Sequence, residues 1–335
     1  LAEAENSAIE DVIAAIVAGY DVYVRLSNAV MPSLFLRGFH GTGTVGAVAA
    51  GAAAARLLNL DKDGVKRAIS LAAVQASGLF EISESGQMAK PINPGNAART
   101  GMLSALLAKE GSDAPQKPLE GNKGFFKAFA DEVNESAITD GLGQRFKVTE
   151  CYIKLYPACR HLHGVVDAAA RHYKNGVPIY QIDKILLHVY PAAINVTGNI
   201  REPRNEDEAK FSMTYAAATG LLTGNYTLRD LKMAANIRPE IKELINKMEI
   251  ISVPELEDRK NNIRGAKVEI RLSDGTVFTE QVMLRKGDPE VPLEEGDLRN
   301  KLRFCAEGIY DEAHQQKIYD TVMELEKLEN IEQLM

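Results

Sequence analysis

Apolar residues recur at helical spacing from the start of the chain. Ile9, Val12, Ile13, Ile16, Val17 and Tyr20 fall on one stripe of IEDVIAAIVAGY, which predicts an amphipathic helix. Residues 31–38 break that period and read as a loop. From Gly43 onward, GTVGAVAAGAAAARLL is crowded with Ala and Gly, so a helix there can lie close against its neighbours. Asp61 is placed to cap KDGVKRAISLAAVQASGL. The Gly/Ser-rich EISESGQMAK reads as a loop. After it, Asn93 reads as an N-cap with Pro94 at the first helical position, and the helix runs to Gly111. A loop at GSDAPQKPLEGNKG and a short helix at GFFKAFADEV complete a helical first part that ends near Thr149.

The period then changes. KILLHVY, residues 184–190, reads as a strand, and Asn205 is placed to cap EDEAKFSMTYAAATGLL, a helix with an acidic first turn. Residues 228–235 and 239–247 read as helices, and 248–253 as a strand. KVEIRLSDGTVFTEQVML contains two alternating runs joined around Asp274-Gly275, a hairpin. From Leu293 to the end the pattern is helical again. The order predicts a mainly α chain with an α+β insert. The helical parts are residues 1–149 and 288–335, and the insert takes 150–287.

Composition adds exclusions. The 335 residues are long enough for one or two domains with a sizeable core. A net charge of −7 does not suggest a nucleic-acid or anionic-membrane surface. No signal peptide and no apolar run long enough to span a bilayer is visible. Cys151, Cys159 and Cys305 form no CxxC pair and no metal spacing, a sparse usage that fits a reducing cytoplasm.

Against this acidic background one basic stretch stands out. YIKLYPACRHLH, residues 152–163, holds Lys154, Arg160, His161 and His163 around Pro157, which breaks any helix running through it. The following HGVVDAAARHY reads as a helix, so the cations sit on a turn and a first helical turn, beside free backbone N–H groups. Arg can clamp one carboxylate through two parallel hydrogen bonds, and Lys can hold another as a point charge. A solvated basic loop is the plain alternative.

Four further groups carry candidate chemistry. His40 is flanked by glycines and close to Arg37. Lys90, in GQMAKPINPGNAA, places a cation beside a helix N-terminus. Tyr215 shares a helix face with Phe211 and Ala218, and a buried tyrosine needs a partner for its hydroxyl. Residues 41–46, GTGTVG, match GxGxxG with Asp61 twenty residues past Gly41. No strand precedes the motif and Asp61 does not end one, so the segment reads as a tight helix start that presents His40, not as a dinucleotide site. His161, His163 and His172 form no recognised metal pattern, and no metal site is expected.

Taken together, these segments resemble the MmgE/PrpD family. The matching stretches stand in the family's order: RGFHGTGTVGAVAAGAAAARLLNLD, KPINPGNAARTGMLSALLAKEG, IKLYPACRHLHGVVDAA, EAKFSMTYAAATGLL and the hairpin with DG at its turn. The resemblance implies a helical domain built from both chain ends, with a smaller α+β lid between. It also implies a homodimer and cofactor-free lyase chemistry on a small polycarboxylate. Its site positions fall on His40, Lys90, Lys154 and Tyr215, and Arg160 and His163 match a CRxxH found in many members. Asn93 departs from the pattern, where many members have histidine.

From these positions Lys90, Lys154 and Arg160 are expected to bind substrate carboxylates. His40, His163 and Tyr215 are expected to be catalytic, handling protons. The leading expectation is dehydration of a 2-methylcitrate-like hydroxy acid. Decarboxylation or epimerisation of a related polycarboxylate, such as cis-aconitate or iminodisuccinate, is the alternative. The resemblance further implies a helical stretch ahead of Leu1 that contributes an acidic, His-containing loop. Without that stretch the chain is expected to turn such substrates over poorly, or to be a non-catalytic or partner-dependent member.

Overall fold

A computed structural model describes residues 1–84, 89–258, 261 and 263–334. The loop predicted at 81–90 lies partly outside the described residues. Internal contacts divide the chain into two units, Leu1–Glu150 with Lys317–Met335, and Cys151–Gln316. Among the described residues, no helix is long and apolar enough to cross a membrane.

The first unit is helical. Its long helices are Ile9–Val30, Gly41–Leu57, Lys62–Val74 and Ile92–Lys109. Asp61 caps the third of these, accepting from the Gly64 N–H at 2.7 Å. The Ala/Gly crowding is what lets the second and fourth helices touch: a Cβ on Gly101 would lie 2.4 Å from Ala50 Cβ. Chain ends meet here, since Ala8 bridges Asn330. Several expectations fail in this unit. Ser33–Leu36, inside the predicted 31–38 loop, and Glu81–Glu84, inside the predicted 81–90 loop, are each a short helix. Asn93 is not the cap, because the helix begins at Ile92 and Asn93 lies within its first turn. The opening stripe is also not all core, since Ile16 and Tyr20 remain 49% and 47% exposed. The helix instead buries Asp21 and Arg25, an ion pair at 2.7 Å. Arg25 ties down the carbonyls of Ile138, Asp140 and Arg145, which satisfies a buried charge.

The second unit has a four-stranded sheet. Its strands are β1 (Ile182–Val189), β2 (Met248–Ser252), β5 (Ala266–Leu272) and β6 (Val277–Val282), in the order β2-β1-β5-β6. Two short strands, β3 (Glu257–Asp258) and β4 (Ile263–Arg264), pair separately. β1 runs parallel to β2 and antiparallel to β5, and the β5–β6 hairpin turns at Gly275 with φ +89°. The helices Arg160–Lys174 and Met213–Thr223 share with this sheet one core built around Leu162, Val166, Ile185 and Val268. The helix expected from Asn205 is two. Asn205 caps only Glu206–Ala209, and Ser212 caps a new helix by accepting from the Tyr215 N–H.

Residues 288–316, placed with the helical part by the sequence, belong to this second unit. Asp288 lies between two arginines of the unit, and Lys301 Nζ donates to the Lys154 carbonyl at 2.8 Å.

Candidate functional site

In the first unit, residues 38–40 run beside residues 78–80. The His40 N–H donates to the Gly78 carbonyl at 2.9 Å, and the Phe80 N–H donates to the Gly38 carbonyl at 2.8 Å. The approach needs Gly43, where a Cβ would lie 2.6 Å from the Ser77 carbonyl oxygen. His40 immediately precedes the Gly41–Leu57 helix and its Nδ1 is 2.9 Å from Asn93 Nδ2. Asn93 Nδ2 also donates to the Leu79 carbonyl at 3.4 Å, which orients the amide. An amide N–H facing Nδ1 leaves the imidazole proton on Nε2. Phe80 sets its ring edge against His40, with centroids 5.7 Å apart, and Lys90 Nζ lies 5.9 Å from the same Phe80 centroid. Burial first, and the Lys90 charge second, lower the His40 pKa below 6.5. His40, Lys90 and Asn93 thus form one cluster, with His40 neutral beside an exposed ammonium.

In the second unit, Pro157 turns the chain into the Arg160–Lys174 helix. The turn leaves Lys154 exposed and buries Tyr156, Arg160 and His163. Arg160 is only 6% exposed. Its guanidinium donates to His163 Nδ1 at 2.8 Å, the Lys286 carbonyl at 3.1 Å and Asp288 Oδ1 at 2.7 Å. Asp288 also accepts from the Arg285 side chain and N–H. Burial alone would raise the Asp288 carboxyl, but the Arg160 hydrogen bond and the two guanidinium charges hold it below its ordinary value.

His163 is fully buried, and its Nε2 has no hydrogen-bond partner among the described residues. Burial, then the charges of Arg160 and Lys154, push its pKa well below 6.5. A guanidinium can only donate, so Nδ1 accepts and the proton again stays on Nε2. The Tyr156 ring lies 5.1 Å from the His163 ring, and its hydroxyl donates to Asp167 at 2.7 Å. The Lys286 N–H donates to the other Asp167 oxygen at 3.2 Å. Burial still raises the Asp167 carboxyl above its ordinary value, against both of these bonds.

Lys154, Tyr156, Asp167, Lys286 and Lys301 line a cavity of about 840 Å³. Tyr215 lines a second cavity, of about 350 Å³. Its hydroxyl donates to the Asp230 carbonyl at 2.6 Å, and burial raises its pKa to about 12. Lys154, Arg160 and His163 are therefore neighbours within the second unit, while Tyr215 belongs to a different pocket of it. Sequence reading missed the partners: Asn93 for His40, Asp288 and Arg285 for Arg160, and Asp167 for Tyr156. Among the described residues, no three His, Cys, Asp or Glu side chains gather as metal ligands.

Comparison with known proteins agrees in both halves of the chain. The MmgE/PrpD N-terminal domain matches residues 1–136, and the MmgE/PrpD C-terminal domain matches residues 156–327. A cis-aconitate decarboxylase of Aspergillus terreus is 30% identical over 97% of this chain and 70% of its own length. A mouse (Mus musculus) cis-aconitate decarboxylase is 29% identical over 96% of this chain and 66% of its own length. A cis-aconitate decarboxylase-like protein of Aspergillus oryzae is 25% identical over 97% and 70%. These relatives support an enzyme of the lyase type.

Proposed function

The chain belongs to the MmgE/PrpD family, and from that premise we propose that it is a cofactor-independent lyase acting on a small polycarboxylate. Decarboxylation of a cis-aconitate-like acid is the first reaction to test, because the relatives above carry that name. Dehydration of a 2-methylcitrate-like hydroxy acid is the second, from the sequence resemblance. Either reaction builds negative charge next to a carboxylate, and fixed cations near that carboxylate lower the barrier.

The observation that carries the reading is a repeated pair: an exposed lysine whose charge reaches a neutral histidine, Lys90 with His40 and Lys154 with His163. The lysines hold carboxylates as point charges. His40, the less buried of the two imidazoles, presents its Nε2 proton to the oxygen on which charge develops. Arg160, already bound to Asp288 and His163, fixes the His163 ring. The protein acts as a homodimer in the cytoplasm in this reading.

The test is incubation of the purified protein with cis-aconitate, 2-methylcitrate, citrate and iminodisuccinate in deuterated water, read by NMR for product and for deuterium uptake. Consumption of one acid is expected, and Lys154→Ala and Lys90→Ala should each lower kcat/KM. No product and no deuterium uptake from any of the four would overturn the reading.

A further inference from the structure

We propose that the smaller cavity of the second unit is an anion-binding site whose ligand carries a carboxylate or phosphate group held by Arg229 and Arg238. Arg229 lies in the Leu228–Met233 helix, and Arg238 directly precedes the Pro239–Asn246 helix. Both line the same cavity of about 350 Å³, with Tyr215, Asp230 and Phe304 among its walls. Both are exposed, and among the described residues neither guanidinium has a hydrogen bond or an ion pair. This sets them apart. Every other described arginine of the unit has a carboxylate, a carbonyl or an aromatic ring as its partner.

The acid that could neutralise them is engaged elsewhere. Asp230 Oδ2 accepts from both the N–H and the hydroxyl of Thr227, at 2.7 Å each, closing a capping box. The Tyr215 hydroxyl is likewise committed, to the Asp230 carbonyl. The charge of Arg238 nevertheless reaches the cavity floor, where it works against the burial that raises Tyr215. Two unpaired guanidinium groups on one small cavity repel each other, and an anion between them relieves that repulsion while accepting paired hydrogen bonds. The chain carries a net charge of −7, so a cavity with two cations and one acid is a local reversal of sign. Thr223, Asn225, Thr227 and Phe304 also line the larger cavity, so a longer ligand can extend from one into the other.

This inference does not depend on the proposed reaction, and its test can fail separately. Propane-1,2,3-tricarboxylate, which has neither a hydroxyl to eliminate nor a double bond, and inorganic phosphate are titrated calorimetrically into the full chain at low and moderate salt. The Arg229→Gln/Arg238→Gln variant should bind about tenfold more weakly or worse, since it loses the charge-assisted hydrogen bonds to the anion. Its salt dependence should flatten, and its melting temperature should stay unchanged. Arg238→Lys, which keeps the charge and loses the planar fork, should fall between. A preference for the tricarboxylate or for phosphate assigns the ligand's anionic group. Unchanged affinity in the double variant overturns the proposal, as does absence of binding to the wild type at millimolar concentration. If Lys154→Gln alone abolishes binding, the anion belongs in the larger cavity, and the reading of Lys154 stands while this one falls.

Discussion

At His40 and His163 the same chemical device recurs. A side-chain N–H donor faces Nδ1, from Asn93 in one case and Arg160 in the other, and each ring keeps its proton on Nε2. Burial then disfavours the imidazolium. Replacing the donor at His40 with an acceptor should reverse this. Asn93→Asp can accept from Nδ1–H and add a negative charge, so the His40 pKa should rise. NMR titration of the His40 ring checks this, and an unchanged or lower pKa would refute the assigned pairing. At His163 the consequence is for stability. The unfolded chain takes up its proton near pH 6.5 and the folded chain well below it, so stability is present above that pH and lost as pH falls through it. His163→Gln should flatten the decline of melting temperature below pH 6.5; a parallel decline in the variant would place the effect on other groups. Tyr156→Phe leaves Asp167 short of a donor and should destabilise the protein by about 1–3 kcal/mol in urea denaturation. These partners were not legible beforehand. Asn93 lies 53 positions from His40, and Asp288 lies 128 from Arg160, and no local pattern links residues so far apart.

Among the elements, close approach and breakage decide what the periodicity leaves open. The Ala/Gly composition of 43–58 announced tight helix packing, and Gly101 against Ala50 and Gly51 is where that packing has no spare room. Gly101→Ala should therefore destabilise by about 1–3 kcal/mol through overpacking, although alanine is the better helix former. A stabilised Gly101→Ala variant in thermal melting would contradict the contact. The helical pattern from 206 to 222 gave no warning that it splits at Ser212. Ser, Asp and Asn mark helix starts only as tendencies, and here Ser212 starts a new helix while also donating to the Arg201 carbonyl. Asn93 shows the opposite case: a residue type suited to capping is used inside the first turn to hold a histidine.

For the whole molecule, the consequential fact is that each unit has its own core. Leu26, Val30, Leu34 and Phe125 cluster in the first, and Leu162, Val165, Ile185 and Val268 in the second. Units with separate cores can unfold separately. Scanning calorimetry should show two resolved transitions, and Gly101→Ala should lower only one of them; a single cooperative transition shifted as a whole would refute the division.

What the sequence determined by itself is local: the helical period, the Asp61 cap, the alternating hairpin around Asp274-Gly275, the Pro157 turn with its cations, and the residue order that places the chain in its family. Each depends on residues a few positions apart, and physical chemistry acts on these without reference to the rest of the chain. Only the tertiary structure decided that Ile16 and Tyr20 stay half exposed, and that Arg160 faces Asp288 inside the second unit. It alone decided that residues 288–316 join that unit. Burial and charge pairing are set by whatever packs against a side chain, and those neighbours come from distant parts of the chain.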